Sequence, residues 1–132
     1  MRGRGSCEGV GRMKGLVLVV DDDAMIVELL ETALEDEGYQ VLATVGAAAL
    51  QIAHGAQPAV ILLDINMPEM DGIEVSRRLR DDPATERIPI IVMSAQDRLR
   101  ATGPLMPVND RLSKPFEIQA LYDKVARWAH AS

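Results

Sequence analysis

Residues 59–64 have the sequence AVILLD, and this short stretch decides the class of fold. The run from Ala59 to Leu63 contains no polar residue, and Asp64 follows it directly. A strand with one solvated face alternates apolar and polar residues, whereas an uninterrupted apolar run is typical of a strand that is buried on both faces. The stretch therefore predicts a central strand of a parallel sheet, with helices packed on both sides of it.

The rest of the chain alternates short apolar runs with helical patterns, as repeated βα units do. The predicted strands are Leu16 to Val20, Gln40 to Thr44, Ala59 to Leu63, Ile90 to Met93 and Arg111 to Ser113. The predicted helices are Ala24 to Glu37, Ala47 to His54, Asp71 to Arg80, a short one at Gln96 to Ala101, and a last one with Ile118, Leu121, Val125 and Trp128 at helical spacing. We expect an α/β fold with a doubly wound parallel sheet.

Local signals mark the ends of several helices. Asp23 is expected to cap the first helix, because a carboxylate at that position accepts hydrogen bonds from the first free N–H groups. Gly38 is expected to end the same helix in a left-handed conformation, and Gly55 to end the second helix. Asp82-Pro83 breaks the third helix, since proline disfavours helix in the residue before it.

The composition restricts the kind of protein that this chain can be. Its 132 residues suit one domain, which we expect at residues 15–132 after a Gly- and Arg-rich, disordered extension at 1–14. A net charge of −6 argues against binding to nucleic acid or to a membrane surface, because both need a concentrated basic face. The single Cys7 and the lack of a long apolar run lead us to expect a cytoplasmic protein with protein partners.

Acidic residues follow two of the predicted strands. Because the carboxyl ends of parallel strands meet at one edge of the sheet, Asp21, Asp22 and Asp64 should lie within a few ångströms of one another. Their charges repel unless a hard divalent cation such as Mg²⁺ binds them. Asp64 would then be a nucleophile towards phosphorus, and Ser94 and Lys114, at the ends of the last two strands, could bind the oxygens of the aspartyl phosphate.

Four stretches in this order carry a resemblance to a known family: LVLVVDDD at 16–23, LLDINMPEMDG at 62–72, IVMSA at 91–95 and SKPF at 113–116. With them, the chain resembles the receiver domains of two-component response regulators, in the single-domain, CheY-like form. The resemblance implies a flavodoxin-like five-stranded sheet of order 2-1-3-4-5 with helices on both faces. It also implies a signalling protein that is not an enzyme beyond its own phosphotransfer and autodephosphorylation.

The resemblance assigns a role to each acidic residue that matches the motifs. Asp64 would be the phosphoacceptor. Asp22 and Asp64 would bind Mg²⁺ together with the backbone carbonyl of Asn66, and Asp21 would act on the metal mostly through ordered water. Asp64→Asn is accordingly the substitution expected to abolish phosphorylation.

The resemblance also assigns roles to residues at the last two strands. Ser94 and Lys114 would bind the phosphoryl oxygens, and the peptide bond between Lys114 and Pro115 would be cis, a geometry confined mainly to proline. Asn66 and Gln96 occupy the two positions that tune hydrolysis of the aspartyl phosphate in this family.

One position departs from the family pattern. Many receivers have an aromatic switch residue where this chain has Arg111. An unpaired guanidinium in an apolar slot is very costly, so the usual inward movement of an aromatic ring is in doubt here. We expect instead that Arg111 stays exposed and pairs with an acidic partner surface.

The implied partners are a sensor histidine kinase or phosphotransfer protein, which would donate the phosphoryl group, and an unknown downstream protein. The chain would be a monomer or a phosphorylation-dependent dimer. Two alternatives stay open. A phosphorylation-independent binding module with the same fold is suggested by the irregular stretch from Gln96 to Asn109. A Mg²⁺-dependent phosphohydrolase would need a second acid two residues after Asp64, where this chain has Asn66.

Overall fold

Five strands form one parallel sheet in the protein. The computed structural model describes residues 14–65, 72–95 and 107–130. The strands are β1 Leu16–Val20, β2 Gln40–Thr44, β3 Val60–Asp64, β4 Ile90–Ala95 and β5 Asp110–Lys114, and the helices described are α1 Ala24–Asp36, α2 Ala48–Ala56, α3 Gly72–Asp81 and α4 Ile118–Ala129. The strand order is β2-β1-β3-β4-β5, and every pairing is parallel, so the predicted fold class is confirmed.

The helices cover the sheet on both faces and enclose two apolar layers. One layer joins Leu18, Ile61 and Leu63 of the sheet to α2 and α3, and the other joins Val17 and Leu62 to α1 and α4. Every residue of β3 is buried, as its uninterrupted apolar sequence predicts. Side chains of β3 enter both layers. The burial of each aliphatic side chain contributes about 1.5–3 kcal/mol to the free energy of unfolding.

The end of α2 differs from the prediction. Gly55 does not end the helix, which continues until Gln57 takes the left-handed conformation at φ 50°. The side-chain amide of Gln57 donates to the carbonyl oxygens of His54 at 3.0 Å and Ala84 at 2.9 Å. These bonds join the helix end to the connection after α3 and explain why a glutamine occupies this position. Gly38 has a positive φ of 98°, as predicted.

Three predictions about the fold fall outside the described residues: the helix at Gln96 to Ala101, the start of the third helix at Asp71, and nearly all of the extension at 1–14. Within the described ranges, no helix is both long and apolar enough to cross a membrane.

Arg80 joins the end of α3 to the connections that enter β4 and β5. Its guanidinium donates to the carbonyl oxygens of Ile88 at 2.8 Å and Pro107 at 3.0 Å, and to Asn109 Oδ1 at 2.7 Å. The same Oδ1 accepts the backbone N–H of Ile90 at 2.9 Å. Burial lowers the pKa of Arg80 from its ordinary value. This network holds together the starts of the two neighbouring strands.

Asp110 fastens the start of β5 to the last turns of α4. Its carboxylate accepts hydrogen bonds from Trp128 Nε1 at 2.8 Å, from Lys124 Nζ at 2.9 Å and from the backbone N–H of Arg111 at 2.8 Å. Burial alone would raise the pKa of Asp110, but these three donors and the charge of Lys124 hold it below the ordinary value.

Asp110→Asn should lower the free energy of unfolding by about 1–3 kcal/mol at neutral pH, because the substitution removes a charged acceptor from three donors. Because the pKa of Asp110 is lower in the folded state, its contribution is present above the ordinary value of 3.8 and is lost as the pH falls through the folded pKa. The difference between variant and wild type should therefore shrink in that acid range. Urea unfolding of both proteins over this pH range, followed by the fluorescence of Trp128, measures the difference in the free energy of unfolding.

Asp123→Asn is the matched control, since Asp123 is an exposed carboxylate on α4, the helix that Asp110 contacts. Its effect should stay within about 0.5 kcal/mol at every pH. Equal effects of the two substitutions would contradict a specific role for the Asp110 contacts.

Candidate functional site

Four polar residues lie at the carboxyl ends of adjacent strands. Asp21 follows β1, Asp64 ends β3, Ser94 is the last residue but one of β4, and Lys114 ends β5. The register pairs Asp64 with Met93 and so places Ser94 one residue further along the neighbouring strand. The sheet thus brings together these four residues, as the sequence predicts.

The acidic part of the site consists of three carboxylates. One oxygen from each of Asp21, Asp22 and Asp64 lies within 4.8 Å of the other two. Asp21 and Asp64 are 2% and 5% exposed, whereas Asp22 is open to solvent. Hard oxygen ligands at this spacing, partly buried and open on one side, are able to bind a divalent cation.

Lys114 places a positive charge among these carboxylates. Its Nζ lies 3.1 Å from Asp21 Oδ2 and 3.5 Å from Asp64 Oδ1. The two acids are nearly buried and the lysine is partly so, hence the attraction is stronger than for a pair in open water. The peptide bond between Lys114 and Pro115 is cis, in agreement with the expectation.

The three consecutive aspartates at the end of β1 have different surroundings. Asp21 Oδ1 accepts the backbone N–H of Asp23 at 2.9 Å, which orients the carboxylate while its other oxygen contacts the lysine. Asp23 turns the other way and accepts the N–H groups of Met25 and Ile26 at 3.0 and 3.4 Å, which confirms the predicted cap of α1. Asp22 remains the exposed member of the acidic group.

Two further predicted residues lie beside the carboxylates or on the adjoining surface. Ser94 is 1% exposed. Arg111 is exposed, and its guanidinium forms no hydrogen bond or ion pair with the residues that the structure describes. It lines a cavity of about 330 Å³ between β5 and α4, together with Phe116 and Lys124. Asn66 and Gln96, which the resemblance also singles out, lie outside the described residues.

Gly72 has a positioning role that the sequence patterns do not predict. It is the buried first residue of α3, and its N–H donates to the carbonyl oxygen of Ile65 at 2.8 Å. A Cβ at this position would lie 2.5 Å from the carbonyl oxygen of Asp64 and 2.8 Å from Ile65 Cα. The available signal was the glycine at the end of the 62–72 motif, because glycine permits another backbone segment to approach closely.

Gly72→Ala should destabilise the protein by about 1–3 kcal/mol and displace the backbone that carries Asp64, because the added methyl group overlaps backbone atoms that cannot rotate away. Urea unfolding measures the first effect. Calorimetric titration with Mg²⁺ detects the second effect, because a displaced Asp64 carboxylate should bind Mg²⁺ more weakly.

Gly55→Ala provides the matched control. No atom lies within 4 Å of a Cβ built at Gly55, and the residue lies in a helix, so this substitution should stabilise the protein by roughly 0.5–1 kcal/mol. A Gly72→Ala variant that matched Gly55→Ala would contradict the close packing of α3 on β3.

A family model and several relatives match this chain. Residues 17–126 match the model described as the response regulator receiver domain. The chain is similar to the response regulator PleD of Caulobacter vibrioides, with 40% identity over 116 residues that cover 86% of this chain and 26% of PleD. The first such relatives are longer proteins, of which the chain spans between 26% and 50%.

Solved structures resemble the fold closely. A Chloroflexus aurantiacus protein described as a response regulator has a TM-score of 0.82 and 33% identity, covering 89% of this chain and 98% of that one. The receiver domain of the sensor histidine kinase PA1611 from Pseudomonas aeruginosa has a TM-score of 0.83 and 28% identity, with the same coverage. The PA1611 domain has a magnesium ion coordinated in its active-site cleft.

Proposed function

Because this chain belongs to the family of response regulator receiver domains, we propose that it accepts a phosphoryl group on Asp64 from the phosphohistidine of a histidine kinase or phosphotransfer protein. The observation that carries the proposal is the position of the Lys114 ammonium, 3.1 Å from Asp21 and 3.5 Å from Asp64. A nucleophilic carboxylate and a cation for the incoming phosphoryl oxygens thus lie at the same edge of the sheet.

The proposed metal is Mg²⁺, and the donor set fits it. Asp21, Asp22 and Asp64 supply carboxylate oxygens within 4.8 Å of one another, and the backbone carbonyl of Asn66 would complete the protein ligands. When bound, Mg²⁺ neutralises the carboxylates and polarises the phosphoryl oxygens. Asp64 is nearly buried, which limits competition from water at the nucleophile.

In the proposed reaction, an oxygen of Asp64 forms a bond to phosphorus while the bond from phosphorus to the imidazole nitrogen breaks. The electron pair of the broken bond stays on that nitrogen. Lys114 and Ser94 would donate hydrogen bonds to the phosphoryl oxygens, which carry more charge as the transfer proceeds. Asn66 and Gln96 would set the rate at which water later hydrolyses the aspartyl phosphate.

The proposed output is a change of a protein-binding surface. Attraction of Ser94 and Lys114 to the phosphoryl group would favour one of two arrangements of the adjoining elements, and a few kcal/mol changes their populations greatly. The receiver domain at residues 15–132 would act in the cytoplasm and pass the signal to a downstream protein. Arg111, exposed beside the cavity, would pair with an acidic partner surface. An Arg111→Glu variant in which both phosphorylation and partner binding were unaltered would contradict this role.

Asp64→Asn should abolish phosphorylation. The purified protein is incubated with Mg²⁺ and acetyl phosphate or phosphoramidate, and intact mass spectrometry detects one added phosphoryl group on the wild type. Asp23→Asn is the matched control, since Asp23 is a helix cap two residues from Asp21 and asparagine also caps helices well. We expect the control to be phosphorylated like the wild type.

If the wild type forms no adduct with either donor and binds no Mg²⁺, the phosphorylation-independent binding module replaces the proposal. Phosphorylation of Asp64→Asn at the wild-type level would place the acceptor at another residue.

Lys114→Met should bind Mg²⁺ more tightly, by roughly tenfold, and accept phosphate more slowly. The ammonium competes with the metal for the same carboxylates, so its removal strengthens their attraction for Mg²⁺ while the phosphoryl oxygens lose a donor. Calorimetric titration measures the affinity, and the time course of adduct formation measures the rate. Lys14→Met, at the opposite end of the sheet, should change neither quantity, and an unchanged affinity in Lys114→Met would contradict the competition.

A further inference from the structure

One edge of this acidic protein carries no charged residue. The stretch from Gln40 to Leu63 contains no Asp, Glu, Lys or Arg, although 26% of the whole chain is charged. Part of the stretch is the buried strand β3. The outer part, from Gln40 to Ala48, forms β2 and the turn into α2, and most of its residues are exposed. We call residues 40–48 the neutral edge.

The backbone of the neutral edge is paired on one side only. β2 is an outermost strand of the sheet, and it bonds to β1 through alternate residues. The N–H of Gln40 donates to the carbonyl oxygen of Gly15 at 2.9 Å, and the carbonyl oxygen of Thr44 accepts the N–H of Asp21 at 3.1 Å, at the two ends of β1. Because the backbone groups of successive strand residues point in opposite directions, those of Val41 and Ala43 point away from the sheet. Within the described residues, no strand pairs with them.

The side chains of the neutral edge do not protect it. Leu42 is 41% exposed and Val45 is 48% exposed. Exposed edge strands are usually guarded against pairing by charged side chains, proline or a bulge. The neutral edge has no charge and no proline, and its pairing with β1 runs without interruption from Gln40 to Thr44.

We propose that two copies of this chain associate through their neutral edges, with β2 antiparallel to β2 of the second copy. Antiparallel pairing about a twofold axis presents the same surface from both copies, so the free backbone groups of Val41 and Ala43 satisfy their counterparts on the partner copy. Leu42 and Val45 of both copies then lose exposed apolar surface.

Charge favours a second copy as the occupant of this edge. The protein has a net charge of −6, so most approaches of two copies are repulsive. Helix α1 illustrates this, because its exposed side includes Glu28, Glu35 and Asp36, and no lysine or arginine occurs between Asp21 and Leu63. The neutral edge itself presents no charged side chain to a second copy, so pairing through residues 40–48 desolvates no charged group.

The proposed association uses none of the side chains of the phosphorylation site. β2 is at one end of the strand order and β5, which carries Lys114, is at the other. The dimer should therefore form equally in the wild type and in Asp64→Asn. This separates its test from that of the proposed function, since either proposal can fail while the other stands.

Sedimentation equilibrium over a range of protein concentrations tests the proposal. The wild type should show a reversible monomer–dimer equilibrium. Leu42→Lys and Val45→Lys should each raise the dissociation constant at least roughly tenfold, because the twofold axis brings like charges close together. Thr32→Lys, which adds the same charge at an exposed position of α1, is the matched control and should leave the dimer intact.

Amide hydrogen exchange keeps the test independent of any effect of the lysines on folding. At high protein concentration the N–H groups of Val41 and Ala43 should exchange more slowly than at low concentration. A wild type that is monomeric at all concentrations, or a dimer that Leu42→Lys and Val45→Lys do not weaken, would overturn the proposal. So would concentration-independent protection of these amides that disappears when residues 1–13 are removed, since that segment would then be the occupant.

Discussion

Repulsion among three carboxylates is the constraint around which this structure is organised. Asp21, Asp22 and Asp64 have oxygens within 4.8 Å of one another, and two of the three side chains are nearly buried. Such an arrangement opposes folding unless cations offset it. Lys114 contacts two of the acids, and the N–H of Asp23 donates to one of them. Repulsion among carboxylates this close together lowers the stability of the fold. We therefore connect their arrangement to metal binding and phosphoryl transfer.

The scaffold behind the site controls where its cation lies. Lys114 ends β5, a strand with only one buried residue, so apolar packing alone positions it weakly. Polar contacts at the start of β5 supply what the core does not: Arg80 contacts Asn109, and Asp110 contacts Trp128 and Lys124 of α4. Because an extended strand is stiff along its length, contacts that hold its first residues also restrict the position of its last residue, Lys114. The stability predicted for Asp110 is thus coupled to the geometry of the site through β5.

The sequence predicts the parts of the fold that depend on apolar pattern and misses those that depend on single polar contacts. The uninterrupted AVILL run identifies the central strand, and aspartates after two strands identify the acidic edge, because both follow from the geometry of parallel sheets. The predicted end of α2 was wrong, because a long-range hydrogen bond from the Gln57 side chain to the carbonyl oxygen of Ala84 outweighs the local preference for a helix end at Gly55. The packing of Gly72 on Asp64 depends on the distance between two elements, which no local pattern contains.

The two edges of the sheet differ in charge and in backbone pairing. At the β5 side, charged residues surround the strand, and α4 is held against it by Asp110. At the β2 side, the exposed residues are neutral and the outward backbone groups have no strand beside them among the described residues. A phosphoryl group at Asp64 would alter charge at the carboxyl ends of β1, β3 and β5, and β1 is the strand that pairs with β2. The proposed association uses the outward backbone groups of Val41 and Ala43 on the other side of β2, so it would not compete for the residues of the site or of β5.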